Sequence, residues 1–224
     1  MDGEAAHHLG RVLRAQPGQL YELSDGQHVR LGRIEKVARD RVDFALLDEI
    51  PAHQPAIAVT LLLSVVKFDS FEWALEKATE LGVTAILPLA AARSEKALLA
   101  AAAKRSERWK RILAEASQQS RRVRVPELRA MEQATQAFAA QNTVTAKVML
   151  SERSAASALR ELLEATPTAK QAVLAIGPEG GWTEAEFASA QSSGFREASL
   201  GKFILRTETA VIAALAAINF ALAD

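Results

Sequence analysis

Two glycine-bearing segments hold most of the residues whose types and spacing suggest chemistry. In the first, Ala172-Val173-Leu174-Ala175-Ile176 runs directly into Gly177-Pro178-Glu179-Gly180-Gly181-Trp182-Thr183. Glycine has no β-carbon and tolerates positive φ, so such a loop lets the backbone approach a ligand closely. A loop of this kind at the carboxyl end of a parallel strand is where open α/β sheets bind ligands. It carries no Lys-Ser/Thr pair and does not follow Gly-x-Gly-x-x-Gly, so it is neither a P-loop nor a dinucleotide fingerprint. Taken alone, it reads equally well as a tight connector from a strand to a helix opened by the capping box Thr183 to Glu186.

The second segment is Leu200-Gly201-Lys202-Phe203-Ile204-Leu205-Arg206-Thr207-Glu208-Thr209-Ala210, leading into a final helix rich in alanine and branched aliphatics. That helix is apolar around most of its circumference and is expected to pack against more than one neighbour. Arg206, Glu208 and Thr209 therefore stand at the edge of a core, as site groups or as a helix-start ion pair between Arg206 and Glu208.

A third stretch is basic. It runs from Lys104-Arg105-Ser106-Glu107-Arg108-Trp109-Lys110-Arg111 to Arg121-Arg122-Val123-Arg124, with Trp109, Ile112, Leu113 and Ala116 as its apolar stripe. Lys104, Arg108 and Arg111 line one flank, and only Glu107 and Glu115 interrupt the run. This is either a phosphate-contacting surface or the solvated face of a helix. His7 and His8 are adjacent and cannot both face one site, while His28 and His53 stand alone, so no metal centre is expected. No serine lies in Gly-x-Ser-x-Gly, which leaves a hydrolase triad without support.

The elements that must position these residues fall into two groups. Leu20 to Leu23, His28 to Ile34 and Val42 to Leu47 read as strands, the first two joined by Ser24-Asp25-Gly26-Gln27, a hairpin signal. Two prolines at 51 and 55 place the domain boundary there, giving residues 1–54 and 55–224. Beyond it, strands alternate with helices. Ile57 to Val66, Val83 to Leu87, Val144 to Leu150 and Ala172 to Ile176 are the strands, and Ser70 to Leu81 is a helix with Phe71, Leu75, Ala78 and Leu81 on one face and Gly82 as its stop. The pattern predicts an α/β domain with a largely parallel sheet.

Composition bounds what such a chain can be. Of 224 residues, 49% are hydrophobic, enough for one or two cores and too many for a disordered chain. Lys plus Arg is 27 and Asp plus Glu is 27, so a polyanion must be met by a local patch rather than by net charge. The absence of cysteine excludes disulfides, thiolate metal sites and a cysteine nucleophile. No apolar run reads as a membrane span, and Met1-Asp2-Gly3-Glu4 lacks the marks of a signal peptide, so a cytoplasmic protein is expected.

Together the motifs resemble the bacterial 16S ribosomal RNA uridine-N3 methyltransferases of the SPOUT class. The resemblance is carried by His7-His8-Leu9-Gly10-Arg11-Val12-Leu13-Arg14, Lys77-Ala78-Thr79-Glu80-Leu81-Gly82-Val83, Arg108-Trp109 with Glu115-Ala116 and Gln119-Ser120, Ile176 to Gly181, and Leu200-Gly201 with Ile204 to Ala210. Their order and spacing over nearly the whole chain make it specific. It implies a PUA-like β-barrel for RNA in residues 1–54, followed by a methyltransferase domain with a C-terminal trefoil knot. Members usually begin with a strand ahead of the His-His-Leu segment; six residues precede His7, so the expectation is either a barrel that lacks its first strand or a natural or engineered short form of the chain.

The resemblance further implies that S-adenosylmethionine is held by Leu150, Ser151, Ile176, Gly177, Pro178, Glu179, Gly180, Gly181, Leu200, Gly201, Ile204 and Leu205. RNA contacts are expected from Arg11 and Arg14 and, on the phosphate-contacting reading of the basic stretch, from Lys104, Arg108, Arg111, Arg121 and Arg122; the resemblance also implies a homodimer acting on 16S rRNA or the small ribosomal subunit. Uridine N3 lies on the pairing edge and carries a proton, so the base must be unpaired and the proton must leave. Arg206 is expected to steady charge developing on the uracil carbonyls, and Glu179 or Glu208 to accept the proton. The alternatives are a SPOUT methyltransferase acting elsewhere on RNA and a non-catalytic RNA-binding assembly factor.

Overall fold

The computed structural model describes residues 1–51, 55–141, 144 and 146–222; His53 and Gln54, at the expected domain boundary, lie outside the described residues. The chain divides into two compact units, Met1–Gln54 with Arg122–Arg124, and Pro55–Arg121 with Val125–Asp224.

The first unit opens with α1 (Gly3–His7) and a π-helical turn (His8–Val12), followed by β1 (Leu20–Ser24), β2 (Val29–Val37) and β3 (Val42–Ile50). These strands form an antiparallel sheet in the order β1-β2-β3. Its small core of Ala6, Leu9, Ala15, Ile34 and Val42 is flanked by Tyr21, Val37 and Phe44. The turn after β1 is built by Asp25, whose carboxylate accepts hydrogen bonds from the Gln27 and His28 amides at 2.8 and 2.7 Å. Arg122–Arg124 join this unit at the same turn. Ser24 Oγ donates to the Val123 carbonyl at 3.3 Å, and Arg124 Nε donates to the Gly26 carbonyl at 3.2 Å.

The second unit holds the remaining elements. In chain order these are β4 (Ala58–Ser64), α2 (Phe68–Glu80), β5 (Ala85–Ala90), α3 (Lys96–Ala102), a 3₁₀ turn (Ala103–Arg105), α4 (Ser106–Gln119), β6 (Glu127–Leu128), β7 (Glu132–Gln133) and α5 (Ala134–Ala139). There follow β8 (Ala146–Leu150), β9 (Ser157–Ala158), α6 (Leu159–Glu164), β10 (Gln171–Ile176), α7 (Glu184–Ser192), β11 (Arg196–Ser199) and α8 (Thr207–Leu222). The strand order is β6-β5-β4-β10-β8-β11-β9, with β7 also on β5, and every pairing is parallel.

Both faces of this sheet are covered, which is why β4 and β10 read as continuous apolar runs instead of alternating. Leu61 and Leu63 of β4, with Leu174 and Ile176 of β10, pack into one core with Phe71 and Leu75 of α2, Leu113 of α4 and Val211, Leu215 and Ile218 of α8. Their neighbours Leu62, Val173 and Ala175 face the other core, with Ala137 and Phe138 of α5 and Ala190 of α7. Helix α2 buries Phe71, Ala74, Leu75 and Ala78, one face at helical spacing. It stops at Gly82, whose φ of +89° suits the left-handed residue beyond a helix end.

Candidate active site

The loops that follow the carboxyl ends of β4, β5, β8, β10 and β11 all open into one cavity of 720 Å³. The loop after β4 supplies Lys67, with Ser70 in the first turn of α2, and the loop after β5 supplies Arg93. From the end of β8 come Leu150 to Arg153, from the end of β10 Ile176 to Trp182, and from the end of β11 Ser199 to Thr207. All twelve cofactor residues expected from the sequence line this cavity, as do Arg206 and Glu179. Glu208 does not line it. It lies in the first turn of α8, 7% exposed, and among the described residues neither Glu208 nor Arg206 makes an ion pair, so the helix-start pair, one of the two readings of these residues, is not formed.

The glycine loop is held from three sides. Pro178 to Gly181 form a turn closed by the Gly181 amide on the Pro178 carbonyl at 2.8 Å, with Gly181 at φ +68°. Arg93 Nη1 donates to the Gly180 carbonyl at 2.9 Å. Trp182, buried behind the loop, donates from Nε1 to the Leu150 carbonyl at 3.0 Å, tying the ends of β8 and β10 together. Gly177 packs closely under the indole: a β-carbon there would lie 3.0 Å from Trp182 Cε2, so the ring would have to give way by a few tenths of an ångström.

Beyond the loop, the capping box expected at α7 is complete. The Thr183 amide donates to Glu186 Oε2 at 2.8 Å, and the Glu186 amide donates to Thr183 Oγ1 at 3.3 Å. The other carboxylate oxygen of Glu186 accepts from the Ala92 amide at 2.8 Å, so one buried side chain fixes both the glycine loop's exit and the strand end carrying Arg93.

The loop after β8 is braced by Arg153. Its amide donates to Ser151 Oγ at 3.1 Å, its guanidinium meets Glu184 at 3.3 Å and Glu197 at 3.7 Å, and the guanidinium carbon sits 4.4 Å from the Phe187 ring centre. The cavity's chemistry fits a nucleoside sulfonium: Leu150, Ile176, Leu200 and Leu205 give apolar wall for a purine, and the glycines give backbone donors and acceptors that can come close.

The basic stretch has a partner that its own helix does not show. Arg108 Nε donates to both oxygens of Glu72 on α2 at 2.9 and 2.8 Å, and Arg105 Nη1 reaches the same carboxylate at 3.1 Å. The scarcity of acidic partners read from the helix is therefore corrected by the packing of α2 on α4, which brings Glu72 alongside. Lys104 lies in the 3₁₀ turn and, like Arg111, is exposed. Arg121, just past α4, has φ +54°, and burial pulls the half-buried Arg122 guanidinium below its ordinary pKa. Arg11 and Arg14 are exposed on the first unit.

Sequence reading missed Lys67, Ser70, Arg93 and Phe187 as lining residues. The usable signal was topological: each sits just past the carboxyl end of a parallel strand or on an element flanking it.

The comparisons agree with this architecture. Residues 53–219 match the family described as RNA methyltransferase domain, and residues 1–47 the family described as RNA methyltransferase PUA domain. The ribosomal RNA small subunit methyltransferase E of Synechocystis sp. is 36% identical over 218 residues, 95% of this chain and 70% of that protein. Its counterpart from Bacillus subtilis is 32% identical over 97% of this chain and 88% of its own length. A crystal structure of the Neisseria gonorrhoeae ribosomal RNA small subunit methyltransferase E bound to S-adenosylmethionine is 32% identical. It covers 99% of this chain and 91% of that one, with a TM-score of 0.89.

A PUA-like unit ahead of a parallel sheet whose strand-end loops converge on one cavity is the architecture of a SPOUT-type RNA methyltransferase. The chain belongs to the family of the ribosomal RNA small subunit methyltransferase E proteins. Among the described residues, no group of three or more His, Asp or Glu is placed to hold a metal, and no helix is long and apolar enough to cross a membrane.

Proposed function

We propose that this protein transfers a methyl group from S-adenosylmethionine to N3 of a uridine in the 16S RNA of the small ribosomal subunit, in the cytoplasm. The observation that carries this reading is the single cavity that gathers the glycine loops after β10 and β11 with Arg206 and Glu179. The bound sulfonium would supply an activated methyl group, and Leu150, Ser151, Ile176 to Gly181, Leu200, Gly201, Ile204 and Leu205 would hold it.

The chain's own residues then do three things. The walls exclude water and orient the reactants, which is the protein's main contribution to an in-line transfer. Arg206, a fixed cation on the cavity wall, stabilises negative charge on the uracil carbonyls as N3 loses its proton. Glu179 accepts that proton, because it is exposed within the cavity whereas Glu208 is buried outside it.

Residues 1–54, with Arg11 and Arg14, bind RNA, and on the basic stretch Lys104, Arg108, Arg111, Arg121 and Arg122 contact phosphates. The segment ending in α8 is threaded as a trefoil knot, a reading supported by the hydrogen bond from Thr207 Oγ1 to the Gly177 carbonyl at 3.3 Å, which sets the start of α8 against the loop after β10. The protein works as a homodimer. Helix α8 supports this by leaving Phe220 92% exposed while its opposite face fills the core.

The test is mass spectrometry of ribosomal RNA from cells with and without the protein. Loss of 3-methyluridine from 16S RNA on deletion, restored by the wild-type chain and not by Arg206→Ala, is the expected result.

A further inference from the structure

The loop from Leu200 to Arg206 displays two large apolar side chains to water, Phe203 at 87% exposure and Ile204 at 78%. Both line the cavity. This display is built into the loop. At its entry, Ser199 Oγ donates to the Gly201 carbonyl at 2.9 Å and accepts from the Gly201 amide at 3.2 Å, with Gly201 at φ +131°. At its exit, Thr207 Oγ1 donates to the Gly177 carbonyl. With both ends pinned, residues 202 to 205 are held out from the core.

Three aromatic rings line the cavity, and two are already engaged. Trp182 is buried with its Nε1 on the Leu150 carbonyl, and Phe187 carries the Arg153 guanidinium over its face. Phe203 keeps its ring open to solvent. It is also bracketed in sequence by Lys202 and, three residues on, by Arg206, both exposed on the same wall.

An exposed ring between cations at a cavity mouth matches the chemistry of an unstacked nucleotide: the ring takes the base's π-face and a cation takes the adjoining phosphate. A base drawn out of an RNA stack gives up its stacking neighbours, and a protein aromatic offsets that loss. Stacking uses only the faces of a pyrimidine, so the edge carrying N3 stays available to the cavity. We propose that Phe203 is the stacking platform for the target uracil, with Lys202 on its phosphate. This inference rests on the reading of the substrate as a uridine, and it assigns a binding role that the glycine and arginine motifs do not contain.

The test uses single-stranded RNA oligonucleotides with 5-iodouridine, which cross-links on irradiation to a stacked aromatic side chain. The cross-link is expected on Phe203, lost in Phe203→Ala and kept in Phe203→Tyr. In parallel, Phe203→Ala is expected to lower kcat/KM for RNA by about tenfold, with S-adenosylmethionine affinity within about twofold of wild type by calorimetry and Tyr restoring the rate.

A cross-link that maps elsewhere overturns the proposal, and so does full RNA turnover by Phe203→Ala. A parallel loss of cofactor affinity makes Phe203 a cofactor wall instead, and a halved mass in light scattering makes it a contact with a second copy; either sinks the stacking role. A Phe203 cross-link in a protein that methylates no uridine leaves the platform standing and removes the N3 reaction.

Discussion

Arg93 Nη1 donates a 2.9 Å hydrogen bond to the carbonyl oxygen of Gly180, 87 residues further along the chain. The shape of the glycine loop thus depends on a side chain at the end of a different strand. Because Arg93 is exposed, the bond contributes modestly, about 1 kcal/mol. Arg93→Met should weaken S-adenosylmethionine binding by about fivefold with little change in Tm, and Arg93→Lys should recover part of it. Calorimetry beside a thermal melt separates the two effects.

Gly177 and Gly201 should fail for different reasons. A β-carbon at Gly177 would press on the buried Trp182 ring at 3.0 Å, so Gly177→Ala is an overpacking change costing about 1–3 kcal/mol, or roughly 3–10 °C in Tm. At Gly201 the added atom meets nothing within 4 Å, but φ of +131° is closed to a β-branched residue. Gly201→Val should therefore leave Tm nearly unchanged and reduce cofactor affinity by about tenfold through a displaced loop.

Cations of the basic stretch should separate by their partners. Lys104→Gln with Arg111→Gln should reduce the slope of log K for RNA against log salt by about two, with Tm unchanged. Arg108→Gln should also destabilise, by about 1–2 kcal/mol, since Glu72 is largely buried and would keep only Arg105. Filter binding across a salt series and urea melts read these effects.

Substitutions on α8 should divide by face. Ala214 is 0% exposed within its own unit, so Ala214→Glu should unfold the chain, whereas Phe220→Glu should leave the fold intact and halve the mass seen by light scattering. A wild-type mass near 24.1 kDa at micromolar concentration would refute the dimer.

The turn after β1 should respond to acid. Hydrogen bonds from the His28 and Gln27 amides lower the Asp25 pKa to about 2. A folded pKa below the unfolded one gives stability that is complete above the unfolded value of 3.8 and lost as pH falls through about 2. The gap in urea midpoint between wild type and Asp25→Ala should be constant above pH 5 and close toward pH 2, and NMR titration of the carboxyl should give its midpoint directly.

What the sequence by itself determined is whatever rests on local period and backbone freedom. The continuous apolar runs of β4 and β10, the helical face of α2, the Thr183 and Glu186 cap and the all-apolar α8 are each encoded within a dozen or so neighbouring residues, as are the glycine motifs that mark the family. Tertiary structure decided which distant groups meet. Only the parallel order β5-β4-β10-β8-β11 brings Lys67 and Arg93 to the same cavity as Gly180 and Arg206, and only the packing of α2 on α4 puts Glu72 beneath Arg105 and Arg108. Glu179 and Glu208 look alike along the chain; one lies on a loop over the cavity, the other in a helical turn against the core. That difference comes from strand pairings and helix docking between residues far apart in sequence, to which neighbouring residue types are blind.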